Sequence, residues 1–131
     1  MSQYAKYKNL GDKGPQMDPS LMESVCPSLT SMEHKQNVIR NNRVVVIDVY
    51  GDWCGPCKAI APAYAELAKK YSRPGECILV KENLDLKLSQ NIRGVPMFLF
   101  FKKGQFVDSV TGADLTGEEG VERKLQQLLS K

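Results

Sequence analysis

Two cysteines separated by two residues, in Trp53-Cys54-Gly55-Pro56-Cys57-Lys58, stand between a segment written for a strand and a segment written for a helix. Ahead of them, Arg43-Val44-Val45-Val46-Ile47-Asp48-Val49-Tyr50 is almost unbroken in β-branched residues. A strand buried on both faces, in the middle of a parallel sheet, has this composition. Behind them, Ala59, Ala63, Leu67, Ala68 and Tyr71 recur at helical spacing, and Arg73-Pro74-Gly75 ends the run. Pro62 falls inside that helix and is expected to kink it, because it removes one backbone hydrogen bond. The cysteine pair can close a small disulfide ring, or leave one thiol exposed with its partner just below. At the junction the first cysteine meets free N–H groups and the positive end of the helix dipole, which favour a thiolate. Cys54 is therefore the expected nucleophile.

The rest of the chain sets the scale around this pair. At 131 residues it holds one domain with room for a real core. A net charge of +3 without a long basic run gives no reason to expect nucleic acid or a membrane surface as partner. The first residues lack the apolar core of a secretory signal, so a reducing, cytoplasmic setting is expected. Four cysteines are too few for a disulfide scaffold, and in that setting a Cys-x-x-Cys beside a strand–helix pattern reads as a redox motif. A zinc site needs four well-placed ligands, and Cys26, Cys77 and His34 stand at no recognisable spacing from the pair. His34 is expected to be an exposed helix residue, and Cys26 and Cys77 to be buried, inert thiols. A Cys26 at the surface would instead be regulatory or dimer-forming.

In chain order, residues 1–20 carry Gly11, Gly14, Pro15 and Pro19 and show no period, so a flexible extension is expected there and a domain over 21–131. Leu21 to Cys26 reads as a first, edge-side strand ended by Pro27. Thr30-Ser31-Met32-Glu33 has the form of a capping box with Thr30 as the cap. It would open a helix to about Asn41, with Met32, Val38 and Ile39 facing inward. Cys77 to Leu84 is the next strand, with Lys81 near its end. Asp85 to Asn91 leaves room for about one helical turn. Gly94-Val95-Pro96 opens a strand over Met97 to Phe101, Lys102 to Gln105 is a turn, and Phe106 to Thr111 returns antiparallel. Thr116-Gly117-Glu118-Glu119 is a second capping pattern, before a helix with Val121, Leu125 and Leu128 on one face. The order is that of an α/β domain: a central mixed sheet of four to five strands, parallel in its first half and antiparallel in its second, with helices on both faces.

Over roughly residues 30–131 the chain resembles the thioredoxin family. The likeness rests on Trp53 to Lys58, Asp48, Pro62, Lys81, Gly94-Val95-Pro96, Lys103-Gly104 and Gly112-Ala113, in the family's order. It implies the thioredoxin fold. It also implies that Asp48, an anomalous carboxylate in an apolar strand, is the family's buried acid, acting on Cys57 as general base and tuned by Lys81. Pro96 would be the family's cis-proline, with Val95 backbone groups left free to pair with an extended substrate. By the same likeness Val95, Gly112 and Ala113 complete an apolar docking surface. Trp53, beside the reactive thiol, is expected to shield Cys54 and form part of that surface. Met97 departs from the family, which commonly has Thr there, and bears on substrate preference.

The chemistry expected is dithiol–disulfide exchange. Cys54 attacks, and Cys57, on the same face of the first helical turn and expected to be the more buried, resolves the mixed disulfide. Gly55 lets the turn form, and Pro56 suits a first helical turn. Pro56 also supplies no proton or positive charge, unlike the His of strongly oxidising relatives, so a reductant is expected. The chain then acts on disulfide-containing proteins with no bound cofactor beyond a reversible Cys54–Cys57 disulfide. A thioredoxin reductase or equivalent donor would recharge it, and a monomer is expected. The alternatives are a disulfide oxidase or isomerase, and a binding subunit of a larger assembly in which the dithiol is incidental.

Overall fold

The computed structural model describes residues 19–130. The elements are α1 (Pro19–Val25), α2 (Met32–Asn41), β1 (Val44–Tyr50), α3 (Gly55–Tyr71), β2 (Cys77–Asn83), a 3₁₀ turn (Leu84–Leu86), β3 (Met97–Lys102), β4 (Gln105–Thr111) and α4 (Val121–Leu129). Among the described residues the sheet has the order β2-β1-β3-β4. β1 runs parallel to β2 and antiparallel to β3, and β3 pairs with β4 through a hairpin. Lys103 and Gly104, both at positive φ, make its two-residue turn, which matches the right-handed twist of the strands.

β1 lies inside the sheet, and every residue from Val44 to Val49 is buried. Strand alternation divides it between two cores. Val44 and Val46 join Leu79, Phe98 and Phe100 beneath Ile60 and Tyr64 of α3 and Val121 and Leu125 of α4. Val45, Ile47 and Val49 join Val80, Met97 and Leu99 on the opposite face, against Val38 and Ile39 of α2. Asp48 has the parity of Val44 and Val46, so it belongs to the α3 face. Lys81 stands beside it in the parallel register, and Glu82 therefore belongs to the α2 face.

Three sequence expectations are corrected. Leu21 to Cys26 is not an edge strand but most of helix α1 with the residue after it. Met22, Val25 and Cys26 stand at i, i+3 and i+4 and pack into the α3-side core, so the helical period prevails. What remains of an edge strand is one bridge, Ser28 to Lys81, closed by Leu29 N–H to the Lys81 carbonyl at 2.8 Å and Lys81 N–H to the Pro27 carbonyl at 3.0 Å. The cap of α2 is Ser31 rather than Thr30: its hydroxyl accepts from His34 N–H at 3.0 Å. Thr30 N–H donates to His34 Nδ1, also at 3.0 Å. This phase turns Met32 outward and Lys35 inward. At α4 no side chain from Thr116 to Glu119 acts as cap; the helix opens after Gly120. Asp114 organises that turn, its carboxylate accepting from Gly117 N–H at 2.9 Å and its carbonyl from Val121 N–H at 3.1 Å. A Cβ on Gly117 would stand 2.5 Å from Asp114 Oδ2, so any side chain there would displace the carboxylate that holds the turn.

The flexible extension expected over 1–20 lies outside the described residues, except that Pro19 and Ser20 open α1. The short turn expected between β2 and Gly94 is the 3₁₀ turn at Leu84–Leu86, one residue earlier than its expected start.

Candidate active site

Cys54 is the N-cap of α3, and its Sγ accepts the Cys57 N–H at 3.1 Å. Pro56 occupies the first turn, where its missing N–H costs the helix nothing. The two sulfurs are joined in a disulfide with the Cα atoms 5.3 Å apart. An N–H aimed at the Cys54 sulfur, at the positive end of a 17-residue helix, stabilises the thiolate once the bond is reduced. The expectation that Cys57 is the more buried of the two does not hold in this disulfide form. Cys54 is 3% exposed and Cys57 5%, so the two are buried alike.

Asp48 sits behind the pair. It is buried, its Oδ1 has no hydrogen-bond partner, and burial pushes its carboxyl up to about 7 against the opposing pull of the Lys81 ammonium. A cleft of about 170 Å³ has Asp48, Cys57, Lys58, Tyr50 and Lys81 in its wall. A water needs only roughly 10–15 Å³ of such space, so a proton path between the carboxyl and Cys57 has room. Lys81 is half-buried rather than a solvated strand end, with its Nζ 5.8 Å from the centre of the Tyr50 ring.

Val95-Pro96 is a cis peptide, and the Val95 carbonyl oxygen lies 3.7 Å from Cys54 Sγ. Trp53 is 70% exposed and folds back over Gly51, where a Cβ would stand 3.0 Å from the indole. Gly112, at φ 106°, donates its N–H to the Pro96 carbonyl at 2.8 Å, which joins the two loops. Cys54, Val95, Pro96 and Gly112 thus converge, and Trp53 is the exposed residue just before Cys54. Met97 and Ala113 do not present side chains there. Met97 is 4% exposed and packs among the residues of the α2-side core, and Ala113 packs into the α3-side core. Each is one residue beyond a residue of the face, and the chain turns its side chain inward.

Cys26 and Cys77 are free and buried, and burial pushes both thiols up to about 11. His34 is partly exposed in the first turn of α2, where its Nδ1 accepts from Thr30 N–H. Among the described residues no cluster of His, Cys, Asp and Glu could hold a metal ion. No helix among them is long and apolar enough to cross a membrane.

Two polar features escaped the sequence. Tyr64 is wholly buried under Asp48's strand, its hydroxyl 2.8 Å from the Val80 carbonyl oxygen and 3.2 Å from that of Val46. Lys35 and Glu82 form a buried ion pair at 2.9 Å. The signal for Lys35 was its spacing, since Lys35, Val38 and Ile39 stand at i, i+3 and i+4 on one helix face. For Glu82 it was adjacency, because neighbours on a strand point to opposite faces and Lys81 takes the α3 side.

Comparison with known proteins agrees with this geometry. The family model described as Thioredoxin matches residues 25–127. A thioredoxin of Neurospora crassa is 38% identical over 109 residues, covering 76% of this chain and 86% of that one. Thioredoxin 1 of Plasmodium falciparum is 33% identical over 107 residues, covering 79% and 93%. The crystal structure of mitochondrial thioredoxin 3 from Saccharomyces cerevisiae, in its oxidised form, superposes with a TM-score of 0.69 at 27% identity, over 82% of this chain and 98% of that one.

Proposed function

The chain belongs to the thioredoxin family and reduces protein disulfides by thiol–disulfide exchange, and we propose that Cys54 is its nucleophile and Cys57 its resolving thiol. The observation that carries the assignment is the Cys57 N–H pointing at Cys54 Sγ at the start of α3. The Cys54 thiolate attacks one sulfur of a substrate disulfide. A bond forms between Cys54 and that sulfur, and the other substrate sulfur leaves as a thiolate and takes a proton from solvent. Cys57 then loses its proton to Asp48 and attacks Cys54 Sγ. The second substrate sulfur leaves, and the substrate has gained two electrons while Cys54 and Cys57 close their disulfide.

Asp48 is the general base for the second step, across the cleft it shares with Cys57. Lys81 limits how far burial raises its pKa. Gly55 and Pro56 shape the turn between the sulfurs. Trp53, Val95, Pro96 and Gly112 receive the substrate, whose backbone pairs with Val95, while Met97 and Ala113 set the shape of that surface from beneath. No cofactor is bound, and a thioredoxin reductase or equivalent donor returns two electrons to the disulfide. The protein works as a monomeric electron carrier in the cytoplasm, with residues 21–131 as the working domain. The oxidase, isomerase and binding-subunit alternatives are not favoured by relatives that are thioredoxins.

The assignment is tested by trapping. Cys57→Ser accumulates a covalent, dithiothreitol-sensitive adduct with insulin, and Cys54→Ser does not. An adduct formed by Cys54→Ser alone would reverse the two roles.

A further inference from the structure

Residues 87–96 carry the chain from the 3₁₀ turn to the Val95-Pro96 bond without helix or strand. Leu88, Ile92 and Val95 lean on the α2-side core. Among the described residues, the hydrogen bonds that reach residues 88–94 come from one side chain. The Lys35 ammonium donates to the Leu88 carbonyl at 2.9 Å and to Ser89 Oγ at 2.6 Å. It also forms an ion pair with Glu82 Oε1 at 2.9 Å. Lys35 and Glu82 are 6% and 1% exposed.

A lysine carries three protons and a long, flexible stem. Here both are immobilised between α2, β2 and the irregular segment. Two apolar side chains would fill the same space, and replacing a buried pair in that way is often neutral or stabilising. Filling the core does not require an ammonium. Bonding the Leu88 carbonyl and Ser89 hydroxyl does, because no apolar residue can donate to them.

We propose that Lys35 is a positioning residue for substrate binding: held by Glu82, it anchors residues 88–89 and so fixes the Val95 backbone against Cys54. The inference rests on the reading of Val95 as the substrate's pairing partner. Lys35 touches neither substrate nor sulfur. It acts on where the next part of the loop stands, and small displacements of a binding group carry large losses.

The test is the double variant Lys35→Met/Glu82→Leu, which keeps the core apolar and leaves no buried charge unpaired. Insulin reduction with dithiothreitol as electron source, and the reaction of the reduced protein with dithiobis(nitrobenzoate), are measured beside wild type. KM for insulin is expected to rise about 10-fold with kcat unchanged, while the small disulfide, which has no backbone to pair, reacts at the wild-type rate. The ¹⁵N order parameters of residues 88–94 are expected to fall from about 0.85 to below about 0.6. Unchanged order parameters would overturn the anchor itself, leaving Val95's role standing. Lowered order parameters with an unchanged KM would overturn Val95's role in binding, and the inference with it.

Discussion

Asp48 is a carboxyl whose charged form the fold resists, and this gives it a measurable signature. Its pKa is raised by burial from 3.8 to about 7, with Lys81 opposing. Between those values it is neutral in the folded chain and charged in the unfolded one. Its contribution to stability is therefore full below about pH 4, falls as pH rises, and is gone once pH passes about 7. Asp48→Ala should remove that slope. The stability difference between variant and wild type should swing in the variant's favour by on the order of 4 kcal/mol across this window, read by urea unfolding at several pH values. The same substitution should slow release of the mixed disulfide about 100-fold near neutral pH and abolish the rise of that rate through about pH 7. A stopped-flow resolution rate equal to wild type would remove Asp48 from the mechanism. The burial of Asp48 was legible because a carboxylate inside Val44 to Tyr50 is an anomaly and the family likeness puts a buried acid there. Tyr64 was not, because an aromatic residue on a helix face looks the same whether its hydroxyl ends in a core or in water.

The end of β2 shows how one element can organise a site. Lys81 faces Asp48's side, Glu82 faces Lys35, and Asn83 Nδ2 donates to Asp52 Oδ1 at 3.1 Å, tying the strand to the loop before Cys54. Lys35→Met alone leaves the Glu82 charge buried without a partner and should cost about 3–5 kcal/mol. Adding Glu82→Leu should recover most of it, and equal stabilities of the single and double variants would contradict that origin. At the start of α4, Asp114→Ala should cost about 1 kcal/mol by removing the carboxylate that accepts from Gly117, measured by chemical unfolding. β1, α3 and the β3–β4 hairpin were legible because each combines a clear period with a local stop: β-branched residues, a proline in the first turn, a Lys-Gly turn. α1 was misread because six residues can be parsed with either period, and what decides is whether a partner strand exists. The Lys35–Glu82 pair joins residues far apart in the chain, and such a contact leaves no local mark. The meeting of Cys54, Val95, Pro96 and Gly112 was legible only through family likeness, because nothing in their spacing says that three loops meet.

At the scale of the molecule, both cores are built, among the described residues, from residues 22–129. Deleting residues 1–18 should therefore leave the thermal midpoint within about 4 °C and insulin reduction within about twofold of the full chain, since a shift of that size corresponds to roughly 1 kcal/mol or less. A larger loss in either would make the extension part of the working protein. Cys54 stands just past the end of β1, an interior strand of the sheet, and Asp48 is buried within that strand, in the wall of the cleft it shares with Cys57. The most direct test is insulin reduction by the purified chain, with dithiothreitol as electron source, beside Cys54→Ser. The account predicts precipitation of the insulin chains well ahead of the dithiothreitol background for the wild-type chain and none for the variant. Turbidity no faster than background for the wild-type chain, or equal rates for the two, would contradict it.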